Sequence, residues 1–435
     1  MIGIRREDKN EWERRAALTP DHVSELVQRH DVELRVQPSD RRAFTDLDYT
    51  HAGATLDEDL SGCRVVLGIK EIPADKLHRD TVYLYFSHTS KGQDYNMPML
   101  RRLLDLGCTL IDYESIVDER NKRLIFFGKH AGYAGMIDTL WALGLRLKHE
   151  GHVTPLEDLR LAHDYSSLDE ATHHISRIGE RLRHTGFPGT LHTVVCGFTG
   201  SGNASTGAQE ILDRLPTLEV APEQLDDLMA DPDRPRKVIY KVLFERRHRF
   251  AHRDGDDFDA TELAEHPERF TNGLVRWLPQ LTMLVHGAFW RPEQPRVIGL
   301  DDLDQLWSGG RPMLRVVADI SCDIGGGIEA TVRPTTPGDP VFVYDLDRRE
   351  DVSGWAGRGP VILAIDNLPC QLAAESSEHF GDTLVRWIPT LDRCPWTKPL
   401  DELELPECIR RSVIVHRGEL TPTFRYLDRF LSASG

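Results

Sequence analysis

Short, continuous apolar runs recur along the first 150 residues, separated by amphipathic stretches. Ile2–Arg5, Val32–Val36, Val65–Ile69, Val82–Phe86 and Thr109–Ile111 are of strand length and rich in β-branched residues. Runs without polar alternation belong to strands covered on both faces. Between them, Thr19 and Pro20 predict the start of a helix over PDHVSELVQRH: a threonine side chain accepts a free first-turn N–H, and proline lacks one that would go unused. MLRRLLDLG has helical apolar spacing and closes at Gly107. A long amphipathic helix is expected over Gly132–Lys148, ending at His149-Glu150-Gly151, and another over LDEATHHISRIGERLRHTG. The chain then predicts strands at Thr193–Phe198, 218–221, Met283–Val285 and Arg315–Ile320. Lys237–Asp257 reads as a polar, basic insertion, and the segment from about Ser376 as an amphipathic helix with a polar end. Alternating strands and helices predict largely parallel sheets with covered faces.

The most specific local pattern is VVCGFTGSGNASTGAQEIL, Val194–Leu212, where a strand meets a glycine-rich turn and then a helix. Gly200 permits a tight turn, and Gly202, lacking a Cβ, lets the backbone approach a pyrophosphate. A helix beginning near Asn203 aims its free N–H groups and positive dipole end at that phosphate. The fingerprint is incomplete: Ser205 stands where G-x-G-x-x-G has its third glycine, and the next glycine is Gly207.

The expected fold class is α/β, with two Rossmann-like doubly wound domains and a cleft between them. One domain is expected over residues 1–150 plus about 385–435, and a dinucleotide-binding domain over about 151–384. At 435 residues the chain is long enough for two cores. A net charge of −17 argues against a nucleic-acid partner, which needs a basic face. No apolar run approaches the roughly 20 residues of a membrane span, and MIGIRRED enters strand-like sequence without a targeting segment. Seven scattered cysteines with no C-x-x-C pair favour reduced thiols, a cytoplasmic location and no metal site.

Polar islands follow the apolar runs, where an open α/β sheet meets its ligands. Arg15 in ERRAALTP and Arg123 beside FFGKHAG suit carboxylates, since a guanidinium fork binds them in bidentate fashion. Lys70 in GIKEIP suits proton transfer if burial lowers its pKa. His88 in YFSHTSKGQ suits acid–base work as a residue type. Glu114 stands in IDYESI, two residues after Asp112. Further on, ADISCDIGGGIE carries Asp319 and Asp323, with an Asx turn as the ordinary alternative, and AIDNLPCQ carries Asp366 and Asn367. Singly, each has a bland reading as a surface arginine, a solvated lysine or a structural histidine. Together they would line one rim.

ERRAALTP, GIKEIP, YFSHTSKGQ, IDYESI, FFGKHAGYAGMIDTLWALG, FTGSGNASTGAQEI, HPERF, DISCDIGGGIE and IDNLPCQLAAESSEHFGD occur in this order from residue 5 to about residue 385. This series resembles lysine–2-oxoglutarate reductases and the free-standing, lysine-forming saccharopine dehydrogenases. The N-terminal part more distantly resembles alanine dehydrogenase and the soluble part of transhydrogenase. Nothing matches a second, saccharopine-oxidising half. The resemblance implies NAD(P)H-dependent condensation of L-lysine with 2-oxoglutarate to saccharopine, with these small molecules as the partners. It implies Lys70 and His88 as the acid–base pair, Arg15 and Arg123 on substrate carboxylates, and Glu114 and Asp323 on the amine-bearing part. Gly200, Ser201, Gly202, Asn203, Asp319 and Asn367 would hold the cofactor. NADP is the expected cofactor and NAD the alternative. Glu219 and Glu223 lie near the spacing of an NAD-ribose acid, whereas ERRHRFAHR (Arg246, Arg247, His248, Arg249) would suit a 2′-phosphate. The other functions in view are an alanine dehydrogenase-like or opine-type dehydrogenase and a non-catalytic dinucleotide-sensing module.

Overall fold

The N-terminal apolar runs become strands in a computed structural model that describes residues 1–189, 191 and 193–433; Thr190, His192, Ser434 and Gly435 lie outside it. They are β1 (Ile2–Ile4), β2 (Leu34–Val36), β4 (Val65–Leu67), β5 (Val82–Tyr85) and β6 (Thr109–Asp112); β3 (Thr55–Leu56), an exposed strand outside those runs, pairs with β2, and all six pair in parallel. The helix Pro20–His30 starts where Thr19 predicts it, with a reciprocal cap between Thr19 and His22. The helix Met97–Asp105 ends before Gly107, whose φ of +71° is the left-handed conformation that closes helices cheaply.

The second unit is built on β7 (Val194–Thr199), β8 (Thr217–Glu219), β9 (Ile239–Phe244), β10 (Phe250–His252), β11 (Phe270–Asn272), β12 (Met283–His286), β13 (Val316–Asp319), β14 (Val341–Asp345), β15 (Glu350–Val352) and β16 (Val361–Leu363). Apart from the β10–β11 ribbon, these strands pair in the order β15-β14-β16-β13-β12-β7-β9-β8, with β14 antiparallel to both its neighbours, β15 and β16, and the other pairs parallel. Alternate residues feed two separate cores: Val194, Cys196 and Phe198 enter one, Val195, Val242 and Phe244 the other. The sheet is therefore covered on both faces, as its unalternating apolar strands require.

The structure corrects the reading of Lys237–Asp257 as an insertion. Ile239–Phe244 is an inner strand hydrogen-bonded to β7 along its length, and the basic flanks on both sides disguise it. The inserted part is confined to the short helix Arg246–Arg249 and the β10–β11 ribbon around Phe250, Leu263 and Phe270. The C-terminal stretch also differs from a single amphipathic helix. After the helix Ala373–Leu384, β17 (Val413–His416) pairs antiparallel to β6 and β18 (Glu419–Leu420) to β17, extending the first sheet.

The chain divides into Met1–Phe127 with everything from Ala373 onward, and Gly128–Leu372. The expected boundaries near 150 and 385 shift because of two helices. The long helix Gly128–His149 packs on the helix Asn203–Leu212 in the second unit. The helix Ala373–Leu384 belongs to the first unit: Phe380 stacks on Phe127 and meets Tyr113 edge to face, and Ala16 N–H donates to Ser377 Oγ at 2.9 Å. Among the described residues, no helix is long and apolar enough to cross a membrane.

The glycine that the fingerprint lacks at Ser205 has its counterpart in a helix–helix contact. A Cβ at Gly207 would lie 2.3 Å from the Lys129 carbonyl oxygen, and one at Gly132 would lie 2.0 Å from that of Ala204. Both obstacles are backbone, so no rotamer relieves them. Gly132→Ala and Gly207→Ala are each expected to lower unfolding stability by at least the ~1–3 kcal/mol of overpacking. Gly309→Ala, at a position with no atom within 4 Å, should leave it unchanged in the same denaturant titration.

Candidate functional site

In the first unit the candidate residues gather where β1, β4, β5 and β6 end. Glu7, just beyond β1, is buried and accepts the N–H groups of Ile69 at 2.7 Å and Lys70 at 2.9 Å. It thereby fixes the backbone on which Lys70 stands. Burial, and then repulsion from Glu13, raise its carboxyl pKa to about 7. Lys70 is partly buried, and its pKa is lowered by desolvation first and by the Arg15 charge second. A lowered lysine pKa makes the neutral amine accessible for proton transfer.

Beside Lys70, Glu71 Oε1 lies 2.6 Å from His88 Nδ1 and Glu71 Oε2 lies 2.8 Å from Lys9 Nζ. Burial alone would raise the Glu71 pKa; the hydrogen bonds from His88 and Lys9 outweigh it and hold the carboxylate ionised. An ionised carboxylate only accepts, so the proton of a neutral His88 sits on Nδ1 and Nε2 is the basic atom. His88 occupies φ +48°, a strained conformation held by Asn96, whose Nδ2 donates to the carbonyls of Ser87 and His88 at 3.0 and 3.3 Å.

Arg15 is 2% exposed and clamped by Glu13, with Nε–Oε1 at 2.7 Å and Nη2–Oε2 at 2.5 Å. Its guanidinium lies 4.2 Å from the centre of the Phe127 ring. Glu114 and Arg123 form an ion pair with each other, and Arg123 remains 52% exposed. Asp112 does not project beside Glu114 as a second free acid. It is buried, accepts Ser87 N–H and Oγ–H and Glu114 N–H, and burial raises its pKa to about 6. Sequence reasoning missed Glu7, Glu13 and Glu71. The available signal was an acid beside each chosen base, in ERR and in KE, but local pattern does not reveal that such an acid is buried.

In the second unit, Gly200 takes φ +87°, and a Cβ there would lie 3.0 Å from Ala288 Cα, so the turn requires glycine. Gly202 differs: its φ is −80° and no atom lies within 4 Å of where a methyl group would stand. The protein itself does not need glycine there. The helix Asn203–Leu212 begins at this point with no side chain capping it, leaving its N–H groups to an anion. Gly200, Ser201 and Gly202 open onto a cavity of about 620 Å³ shared with the ends of β9 and β12. These residues fit a dinucleotide's phosphates. Gly202→Ala should therefore leave unfolding stability unchanged while weakening nucleotide binding at least several-fold, a split that calorimetry and a melting curve read separately.

Thr199, which precedes the turn, is held by His286 at the end of β12, with Nδ1–Oγ1 at 2.7 Å. Burial first, then Arg249, depress the His286 pKa to about 3, so this imidazole stays neutral. Asp319 ends β13 with both oxygens engaged: Oδ1 accepts Ser321 Oγ–H at 2.6 Å and Cys322 N–H at 3.2 Å, and Oδ2 accepts Thr331 Oγ–H at 2.8 Å. It shapes the glycine loop that comes after β13. Asp323 is exposed on that loop, and Asn367 is buried just beyond β16.

The ribose acid expected at Glu219 or Glu223 is not at this cavity. Glu219 ends β8 and Glu223 comes soon after it, and β8 is one strand further out because β9 lies next to β7. Glu219 pairs with Lys241 at 3.1 Å and Glu223 with His248 at 3.0 Å. The end of β9 presents Glu245, Arg246 and Arg249 instead.

Two family profiles match the chain: alanine dehydrogenase/PNT, N-terminal domain, over residues 3–134, and the corresponding C-terminal domain over 292–423. The α-aminoadipic semialdehyde synthase of Bos taurus, a mitochondrial protein, is 35% identical over 99% of this chain and 48% of its own length. The chain thus spans about half the length of the curated relatives of this kind that it matches. A Neurospora crassa saccharopine dehydrogenase (NAD(+), L-lysine-forming) is 25% identical over 90% of this chain and 91% of that protein. The solved structure of an L-alanine dehydrogenase shares the fold, with a TM-score of 0.63 at 16% identity and 99% coverage of both chains. The chain belongs to the alanine dehydrogenase/PNT family and is homologous along nearly its whole length to part of the α-aminoadipic semialdehyde synthases.

Proposed function

We propose that this chain condenses L-lysine with 2-oxoglutarate and reduces the product to saccharopine, reversibly, with NADPH as the preferred cofactor and NADH as the second choice. The observation that carries this reading is Lys70: a partly buried amine whose pKa is lowered by burial and by Arg15, next to the Glu71–His88 pair. The names of the homologues support the substrates.

In this reading Arg15 and Arg123 hold the carboxylates of the keto acid, sharing with them the guanidinium faces now paired to Glu13 and Glu114. Glu114 and Asp323 receive the amine-bearing part. The lysine ε-nitrogen bonds to the ketone carbon, the ketone oxygen leaves as water, and the C=N bond formed is then reduced. Lys70 and His88 Nε2 move the protons: the two that leave the attacking amine nitrogen are matched by the two that turn the departing oxygen into water, and the nitrogen takes one proton back as hydride reaches the carbon. Such positioned acid–base chemistry contributes roughly 10²–10⁴-fold. A reduced nicotinamide held at the glycine turn supplies the hydride.

The test is loss of reduced-nicotinamide absorbance with L-lysine plus 2-oxoglutarate, against pyruvate plus ammonium. Turnover requiring both lysine and 2-oxoglutarate is expected. Turnover with pyruvate and ammonium alone would replace this reading with an alanine dehydrogenase activity.

A further inference from the structure

The segment Glu245–Arg249 carries four basic side chains, and the structure separates them. Arg247 pairs with Glu245 at 3.0 Å, and His248 with Glu223 at 3.0 Å. Among the described residues, Arg246 and Arg249 have no carboxylate partner, and both line the cavity that holds Gly200–Gly202. Arg249 is only 6% exposed, its Nε has no hydrogen-bond partner among those residues, and its one described side-chain contact is with the Phe250 ring. Burial and the neighbouring Arg246 lower its pKa to about 10. A buried cation without a counter-charge is costly, and proteins keep one where an anion arrives.

Strand order says which anion. In a doubly wound nucleotide site, the strand beside the glycine-turn strand ends at the adenosine ribose, where an acid reads the 2′-hydroxyl or an arginine the 2′-phosphate. Here that strand is β9, and its terminal acid Glu245 is already neutralised by Arg247. We propose that Arg246 and Arg249 form a cation pair that binds the 2′-phosphate of a 2′-phosphorylated dinucleotide. The inference rests on the dinucleotide reading above and assigns the cofactor selectivity of that site to two residues.

The test is calorimetric binding to the full chain of 2′,5′-ADP against 5′-AMP, which differ by the 2′-phosphate alone, with NADPH and NADH alongside. Wild type is expected to favour 2′,5′-ADP about tenfold or more, the scale of a charged hydrogen bond. Arg246→Ala and Arg249→Met should each remove most of that preference and leave 5′-AMP binding intact. Glu219→Gln and Glu223→Gln should change neither ligand. Equal weakening of both ligands in the arginine variants would place these residues on the 5′-phosphate side and overturn the assignment, as would a wild type without preference. A second readout needs no ligand: Arg249→Met removes an uncompensated buried charge, so the melting temperature of the free protein should rise, and a fall would mark Arg249 as structural and overturn the pair. Failure of all four nucleotides to bind would instead sink the dinucleotide reading itself, and this inference with it.

Discussion

Lys70→Met is expected to lower kcat/KM for lysine plus 2-oxoglutarate by about 10²–10⁴-fold, the usual contribution of a positioned acid–base group. Methionine matches the lysine stem in length and tolerates the partly buried position, so the fold should persist and NADPH binding to the second unit should be unchanged. The loss would then belong to chemistry. The pH dependence carries a sign that a structural role would not produce. Burial and Arg15 both lower the Lys70 pKa, while Glu13 and Glu71 raise it. Arg15→Met removes a neighbouring positive charge, so the lysine should hold its proton to higher pH and the limb of the rate profile that reports it should move alkaline. Glu71→Gln removes a negative charge and should move that limb toward acid. Rate profiles of the two variants that shift in the same direction would exclude Lys70 as the titrating group.

Glu13→Gln is expected to cost up to roughly 3–5 kcal/mol of unfolding free energy, the penalty for removing one member of a buried ion pair. Glu13 is 1% exposed and Arg15 2% exposed, so water cannot replace the lost partner. Replacing both, in Glu13→Gln/Arg15→Met, should restore most of the stability, because a buried pair exchanged for groups of similar volume is close to neutral. Activity should not return with it, since the double variant lacks the guanidinium assigned to the substrate carboxylate. Denaturant unfolding of the two single variants and the double variant gives the coupling directly.

These two predictions fall on residues of unequal legibility. Lys70 and His88 stand out because each follows an apolar strand, and strand ends are where such sheets bind ligands, while Arg15 stands out just before a helix N-terminus. Their acids do not stand out. Glu7, Glu13 and Glu71 sit among other charged residues, in RRED, NEWERR and IKEI, and their weight comes from burial against partners that no spacing rule connects. Asp319 shows the reverse. Its position at a strand end makes it legible, but that its oxygens accept hydrogen bonds from its own loop is visible only in the fold.

Short-range physics was written in the chain: Thr19 with Pro20 starts a helix, Gly107 follows the end of one, and Gly200 turns a strand into the helix at Asn203. Each depends on the preferences of a few adjacent residues, so the sequence alone determined those elements, the α/β class and the nucleotide-type turn. The order of strands was decided elsewhere. Placing β9 rather than β8 against β7 depends on which apolar faces bury each other across the sheet, and the charges flanking Ile239–Phe244 masked that strand locally. That one choice leaves Glu219 and Glu223 off the cavity beside the glycine turn and brings Glu245, Arg246 and Arg249 to it. Likewise, Gly207 and Gly132 are needed only because two helices distant in sequence touch backbone to backbone. Partners and burial are properties of contacts between remote segments, and only the folded chain brings those segments together.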